Sequence, residues 1–274
     1  MTFLKTRLSS RKKSGFTVVE LLLVLAIIGL LASIVLVSMR NAREKAQVAN
    51  ILQYSATIKH ALGYELRAEW KFENNLNDTS GNNNNGILSG SITYENNSVS
   101  PELGKAGVLN GSSYANVTNS PTLDVSANNS VTIEGWVKPA GGDTTWYLYY
   151  RQSGYYLMFN AGVLRLYLSG VIIPDDGGAD NYLNCSPFSF TDGVWKHIVG
   201  TYNGSRAAIY VDGEEVCSSD ASGATLAGNV INRLGWSFTG SIDEVKIYAA
   251  GLVSTEIYQH YVEGARKRGL AVEK

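Results

Sequence analysis

Long parts of this chain lack proline, histidine or charged residues, and each absence excludes some structures or functions. The first proline of the 274 residues is Pro101, so no proline ring interrupts a helix before that position. Only three histidines are present, and the sequence contains neither a His-Glu-x-x-His nor a Gly-x-Ser-x-Gly motif. We therefore predict that the protein is not an enzyme.

Positive charge is scarce in the part of the chain that follows the N-terminal region. From Gly63 onward the sequence has 14 basic and 22 acidic residues, a formal charge of 14 − 22 = −8. Binding to nucleic acid depends on Lys and Arg side chains that neutralise phosphates, so we expect no nucleic-acid partner. The one basic cluster in this region, 266–268, is explained by a solvated C-terminal tail, which we place at residues 263–274.

Residues 21–39 contain no ionisable side chain, and Glu20 is the only charged residue between Lys13 and Arg40. As a helix, this stretch would extend roughly 28 Å, which is close to the hydrocarbon thickness of a bilayer. The basic residues before Phe16 predict that the N-terminus stays in the cytoplasm. A secretory signal peptide has a shorter apolar region followed by small residues, whereas here Arg40 follows directly. We predict a single span of the inner (cytoplasmic) membrane.

The segment around Glu20 resembles the precursors of type IV pilins and pseudopilins. In those precursors a basic leader ends in Gly and is followed by Phe and an apolar helix with Glu at its fifth position. Gly15, Phe16 and Glu20 match these positions. The resemblance implies that a prepilin peptidase removes the leader, residues 1–15, by cleavage between Gly15 and Phe16, and that Phe16 is N-methylated. It also implies two further partners, a pilus assembly platform and other copies of this chain packed in a helical filament.

Glu20 has a physical role in such a filament. An isolated carboxylate among apolar helices is costly, but it can pair with the new ammonium group at Phe16 of a neighbouring subunit. Such a pair sets the axial register, since a buried charge that loses its partner costs about 3–5 kcal/mol. The alternative is an ordinary single-pass anchor in which Glu20 reaches the lipid headgroups. Apolar residues continue at spacings of three or four, so we predict one helix over residues 16–66.

Beyond residue 66 the composition changes to Gly, Asn, Ser, Thr and aromatic residues, with short alternating runs between turn dipeptides. This pattern predicts an antiparallel β domain. Five segments resemble the laminin G-like (concanavalin A-like) jelly roll, namely 69–73, 106–114, 132–139, 195–213 and 240–248. We therefore expect an α+β fold, in which a long N-terminal α-helix is followed by an all-β antiparallel jelly-roll sandwich at residues 67–262.

The laminin G-like resemblance implies a structural calcium ion where the opening loop of the jelly roll meets its last strand. Asp78 and Asp243 occupy those places, and Asn83 offers a further oxygen of the hard type that calcium prefers. The alternative is an Asx turn at Asp78 and an exposed acid at Asp243, with no metal.

Cys185 and Cys217 are the only cysteines, and both fall in the part predicted to be extracellular, where oxidation is allowed. A disulfide between them would stabilise the fold by roughly 3 kcal/mol. Two separately buried free thiols are the alternative.

Aromatic residues follow one another closely from Trp146 onward. Alternation along a strand directs Tyr147 and Tyr149 to one face of the sheet. Trp146, Leu148 and Tyr150 then point to the opposite face. If that second set fills the core, Tyr147 and Tyr149 form an exposed platform for an extracellular glycan or protein ligand. Cross-strand aromatic pairing that only stabilises the sheet is the alternative.

Together these features predict a structural subunit of a type IV pilus-like filament that displays an adhesive or ligand-binding jelly roll at the cell surface. The chain would lie in the membrane before assembly and become extracellular in the filament. Two alternatives remain. One is a minor pilin or pseudopilin of a secretion or uptake system, and the other is a membrane-anchored lectin that does not polymerise.

Overall fold

The computed structural model describes residues 18–32, 39, 66–96, 104–141, 145–175, 178–224, 228 and 231–272. The chain divides into two units, Met1–Leu62 and Gly63–Lys274. In the first unit, residues 18–32 form an α-helix, α1. Apart from residue 39, which is also helical, the remainder of the predicted helix over 16–66 lies outside the described residues or, at its last position, in the first β-strand.

The second unit, which we call the head, is an antiparallel β-sandwich, and the prediction of an α+β chain is confirmed. The described strands are, in chain order, β1 Leu66–Trp70, β2 Gly86–Ser89, β3 Thr93–Asn96, β4 Lys105–Asn110, β5 Tyr114–Val117, β6 Val131–Pro139, β7 Trp146–Arg151, β8 Tyr155–Asn160, β9 Val163–Leu168, β10 Val171–Asp175, β11 Gly178–Asp180, β12 Tyr182–Cys185, β13 Lys196–Tyr202, β14 Arg206–Val211, β15 Glu214–Asp220, β16 Ser222–Gly223, β17 Asn232–Trp236 and β18 Thr239–Tyr248. One α-helix, α2, follows at Ser254–Lys267.

Two large sheets form the layers of the sandwich. The eight-stranded sheet has the order β15-β14-β13-β6-β18-β4-β3, with β1 also paired to β18. The seven-stranded sheet has the order β12-β9-β8-β7-β17-β5-β2, and a small third sheet has the order β11-β10-β16. Some neighbours in each sheet are distant in sequence, as with β7 and β17, so each face combines residues from far along the chain.

The main core lies between the two large sheets. It is built from the apolar residues that alternate along the strands, such as Leu164, Leu166 and Leu168 on β9, all fully buried. The largest fully buried side chains include Trp70 on β1 and Tyr155 on β8. Since this core is contained in the Gly63–Lys274 unit, the head has its own hydrophobic interior.

Helix α2 packs on the outer face of the eight-stranded sheet. Ile257 of α2 joins a buried cluster with Val199 and Tyr210, and Ala265 joins another with Trp136. A Cβ atom at Gly264 would overlap the indole of Trp136, so glycine permits the close approach. One outer face of the sandwich is therefore covered by this helix.

The expected solvated tail at residues 263–274 is wrong at its start, because α2 continues to Lys267 and Arg268 is buried. The guanidinium of Arg268 donates to Asp243 on β18 and lies 4.2 Å from the ring centre of Trp136 and 5.0 Å from that of Trp195. A carboxylate and two aromatic rings, all far away in sequence, hold the end of the helix against the sheet.

Candidate functional site

The outer face of the seven-stranded sheet carries a continuous set of aromatic side chains, which we call the aromatic strip. None of these residues belongs to the buried core clusters of the head, and all but Tyr156 are partly exposed to solvent. The aromatic strip consists of Tyr114 on β5, Tyr147 and Tyr150 on β7, Tyr156 on β8, Tyr167 on β9, Tyr182 on β12 and Trp236 on β17.

Strand register aligns much of the aromatic strip directly across the sheet. Tyr182 pairs with Tyr167, Tyr167 pairs with Tyr156, and Tyr156 pairs with Tyr150. Arg233 on β17 continues the same row, opposite Tyr150. Directly opposed residues on one face are close enough for their side chains to touch, so five adjacent strands contribute to a single row.

The rings of the aromatic strip are in contact from Tyr182 to Trp236, and Arg233 lies between Trp236 and Tyr114. The rings of Tyr156 and Tyr167 are stacked with their centres 4.4 Å apart, and those of Tyr147 and Trp236 are stacked at 4.9 Å. Tyr150 connects the two pairs, with its ring centre 5.3 Å from that of Tyr156 and 5.1 Å from that of Trp236. These distances are typical of interacting aromatic pairs, so the strip is a preformed surface.

Two hydroxyl groups of the strip, those of Tyr147 and Tyr156, have a raised pKa and are therefore uncharged at neutral pH. Burial is the main reason that the pKa of Tyr156 is raised well above its ordinary value, and its hydrogen bond to the Tyr182 hydroxyl, at 2.7 Å, acts in the same direction. Burial and the neighbouring Tyr150 also raise the pKa of Tyr147. The face therefore offers flat apolar rings together with neutral hydroxyl groups that both donate and accept hydrogen bonds.

A β-bulge decides which tyrosines of β7 face outward, and it corrects the prediction for Tyr149. The pairing of β7 with β8 shifts between Tyr147 and Tyr149, so Leu148 and Tyr149 both point into the core. Tyr149 is fully buried, its hydroxyl donates to Asn232, and burial raises its pKa to about 12. Tyr149 is thus not a ligand-binding residue, and Tyr150 takes the exposed place beside Tyr147, because regular alternation fails at a bulge.

Gly235 on β17 allows the same shift in the neighbouring strand. Its φ of 65° lies in the left-handed region, and an added Cβ would overlap the side chain of Leu109. Arg233 and Trp236 consequently both reach the outer face although they are three residues apart. The bulge on β7 and the glycine on β17 together place Tyr147, Tyr150 and Trp236 side by side.

The residues predicted to hold calcium have protein partners instead. The Asp78 carboxylate accepts hydrogen bonds from the backbone N–H groups of Glu69, Ser80 and Asn84, at 2.8–2.9 Å. Asp243 is buried and ion-paired with Arg268. The described residues contain no group of three or more His, Cys, Asp or Glu side chains arranged to hold a metal.

Those contacts do not fit a calcium ion held jointly by Asp78 and Asp243, because a guanidinium beside Asp243 would repel a cation. Asn83 lies in the same loop as Asp78 and is exposed. The calcium site stays a prediction, and melting the head in calcium and in a chelator tests it. From the contacts of the two carboxylates we expect equal midpoints, and a midpoint raised by calcium would establish the site.

Cys185 and Cys217 are joined by a disulfide, with their Cα atoms 5.7 Å apart. Cys185 lies at the end of β12, an edge strand of the seven-stranded sheet, and Cys217 lies on β15, an edge strand of the eight-stranded sheet. The bond therefore ties together the two layers of the sandwich at one edge.

The predicted assembly and processing residues lie in the first unit. Glu20 is on α1 and is exposed, whereas Gly15 and Phe16 fall outside the described residues. Within the predicted membrane span at 21–39, residues 33–38 also lie outside the described residues. Among the residues that the structure describes, no helix has the length and apolar character needed to cross a bilayer.

Sequence reasoning missed Arg233, Trp236 and Tyr182 as members of one surface. On β9 the sequence does show which residues face outward, because the buried Leu164, Leu166 and Leu168 alternate with partly exposed residues that include Tyr167. On β17 the sequence does not show that Arg233 and Trp236 share a face, since Gly235 breaks the regular alternation of buried and exposed residues.

Two family models match the chain. One, described as the concanavalin A-like lectin/glucanases superfamily, matches residues 109–258, and the other, the prokaryotic N-terminal methylation motif, matches residues 10–36. Both resemblances drawn from the sequence are thereby confirmed. No curated protein matches the sequence.

Several solved structures are similar to the head. Domain 4 of AbnA, a GH43 extracellular arabinanase from Geobacillus stearothermophilus solved with arabinotriose, is 21% identical and has a TM-score of 0.56, with 71% of this chain and 97% of that chain covered. The binding domain of Paraclostridial Mosquitocidal Protein 1 is 17% identical with a TM-score of 0.55, covering 72% of this chain and 52% of that one. A botulinum neurotoxin type C structure is 16% identical with a TM-score of 0.54, covering 77% and 53%. This chain thus spans about half the length of the toxin structures, and at such identities the likeness shows the fold.

Proposed function

This chain belongs to the concanavalin A-like lectin/glucanases superfamily, and we propose that its head binds carbohydrate through the aromatic strip. The proposal rests on the continuous contact of aromatic rings, all but Tyr156 partly exposed, from β12 to β17 of the seven-stranded sheet. Sugar rings have apolar C–H faces that pack on aromatic rings, and their hydroxyls pair with neutral polar groups such as the tyrosine hydroxyls. The arabinotriose bound to the AbnA domain supports the same kind of ligand for this fold.

The composition of the seven-stranded sheet favours binding without hydrolysis. Glycoside hydrolysis ordinarily requires two carboxyl groups that flank the scissile bond. The seven strands of this sheet contain no Asp or Glu, so a saccharide lying on the aromatic strip would meet no such pair there. The head is then a binding module, and its neighbours among toxin binding domains are in keeping with that role.

The proposed role of the N-terminal part is to carry this head on a filament. The methylation motif supports a pilin-type subunit that is cut between Gly15 and Phe16 by a prepilin peptidase and N-methylated at Phe16. The chain is inserted in the cytoplasmic membrane as a precursor, passes to a pilus assembly platform, and polymerises with its own copies through the apolar helix that contains Glu20. Filament assembly brings many heads to the cell surface, where repeated weak contacts to one polysaccharide add up to firm attachment.

Removing two rings from the strip tests carbohydrate binding. We expect the double variant Tyr150→Ala/Trp236→Ala to lose about tenfold or more in affinity for glycans bound by the wild-type chain, because it deletes the centre of the stacked surface. The measurement is a glycan array followed by titration, with the full chain in detergent. A control variant, Tyr258→Ala, removes a partly exposed ring on α2, at the opposite outer face of the sandwich.

Two results would contradict the proposal. One is unchanged glycan binding by the double variant, and the other is an equal loss in the control. A melting curve for each variant establishes that it is folded.

A further inference from the structure

The strands of the seven-stranded sheet carry a net positive charge although the chain from Gly63 onward has a formal charge of −8. The strands of this sheet contain three arginines, Arg151, Arg165 and Arg233, and no Asp, Glu or Lys. Arg151 is buried and donates to Asn232 at 2.9 Å, so it has a structural role. The other two arginines are partly exposed and lie among the rings of the aromatic strip.

Arg233 is held by two rings. Its guanidinium carbon lies 4.5 Å from the ring centre of Trp236 and 4.7 Å from that of Tyr114, which is cation–π geometry. Arg165 is placed similarly, 6.0 Å from the ring centre of Tyr182. Ring contacts of this kind orient a guanidinium while its N–H groups stay available for hydrogen bonds.

Neither arginine has an acidic partner among the residues that the structure describes. Several other cations of the head do have one, as shown by the pairs of Arg206 with Glu215 at 2.7 Å and Lys196 with Asp212 at 2.5 Å. In both Arg165 and Arg233 the Nε atom is buried and forms no hydrogen bond within the described part of the chain. The nearby acid at the edge of the strip, Asp180, accepts a hydrogen bond from the backbone of Tyr182.

A planar guanidinium that has no acidic partner is well suited to bind a carboxylate, because it can donate two parallel hydrogen bonds to it. Arg165 on β9 and Arg233 on β17 are separated by β8 and β7. At the usual spacing of strands this is roughly 14 Å, a distance that a short oligosaccharide spans. The aromatic rings between the two arginines would support the sugar rings while each end offers a site for a negative group.

We propose that the aromatic strip binds an acidic polysaccharide, a chain of uronic acid residues, with carboxylates at Arg165 and Arg233. This inference rests on the proposed carbohydrate binding and adds the class of sugar. The negative charge over the rest of the head directs an anionic chain to the face that carries these two arginines. Charge then accounts both for the preference for an acidic polysaccharide and for the place where it binds.

A matched pair of polymers tests the inference. Polygalacturonate and its methyl-esterified form have the same backbone and differ in the charge of the carboxyl group. We expect the full chain in detergent to bind polygalacturonate about tenfold more tightly than the ester, as a charge-assisted hydrogen bond predicts. That preference should weaken as ionic strength rises, because salt screens exposed charges.

Variants separate charge from stacking. Arg165→Gln/Arg233→Gln should bring the affinity for polygalacturonate down to that for the ester, while Arg206→Gln, which removes an arginine on the eight-stranded sheet, should leave the preference intact. Equal binding of both polymers by the wild-type chain overturns the charge inference, as does a preference that survives in the double arginine variant. Binding of neutral glycans with none of polygalacturonate overturns the charge inference alone, whereas absence of binding to any glycan overturns the proposed function as well.

Discussion

Replacing Glu20 with Ala is expected to abolish filaments while the chain still enters the membrane. In the filament the Glu20 carboxylate would lie among apolar helices and pair with the ammonium group of Phe16 in a neighbouring subunit. Loss of one partner leaves the other charge buried, at a cost of about 3–5 kcal/mol, and the cost recurs at every subunit interface. Electron microscopy of sheared surface material, together with membrane fractionation, measures both outcomes. The variant Glu20→Asp, which keeps the charge, is the control and should retain some filaments.

The Glu20→Ala variant also separates the alternatives. A membrane-anchored lectin that does not polymerise would show the same surface display in the wild-type chain and in the variant. A minor pilin would lose its place in a filament built mainly from another subunit. Abundant filaments made of the Glu20→Ala chain would contradict the assembly mechanism.

Replacing Glu134 with Ala is expected to destabilise the head by about 3–5 kcal/mol, because it removes the acid from a buried network of charges. Glu134 is 1% exposed and lies under α2. Its carboxylate accepts hydrogen bonds from Lys246 at 3.1 Å and Tyr248 at 3.2 Å, and lies 2.9 Å from Nδ1 of His260 on α2. Burial alone would raise the pKa of Glu134, but His260 and Lys246 outweigh it and hold the pKa well below its ordinary value.

Urea or thermal unfolding measures the change, and Glu215→Ala is the matched control. Glu215 forms an ion pair with Arg206 on the surface, and the two side chains are 34% and 43% exposed. A surface pair of this kind contributes about 1 kcal/mol or less. If Glu134→Ala costs no more than Glu215→Ala, the buried network does not hold α2 to the sheet.

Features that depend on neighbours in sequence were readable without a structure. The positions of Gly15, Phe16 and Glu20 form one linear motif, and the family model for N-terminal methylation matches it. The jelly-roll segments were recognised in the same way, because turn residues and strand alternation are local. With two cysteines in the chain, the pair that the structure joins was the single possible one within a molecule.

Features that depend on distant neighbours were not readable. The exposure of Tyr150 in place of Tyr149 follows from a bulge that regular alternation does not contain. Arg268 was assigned to a solvated tail because its partner, Asp243, lies in another element. The aromatic strip itself unites strands from β5 to β17, and sheet order, which sequence did not supply, puts Tyr150 beside Trp236.

A crystal structure of the head with a bound oligosaccharide, either an oligogalacturonide or the best neutral ligand from the array, would show whether saccharides bind on the outer face of the seven-stranded sheet. We predict sugar rings stacked on Tyr150 and Trp236, with any carboxylate next to Arg233. An oligosaccharide seated in the loops at an end of the sandwich, with no contact to the aromatic strip, would contradict the account.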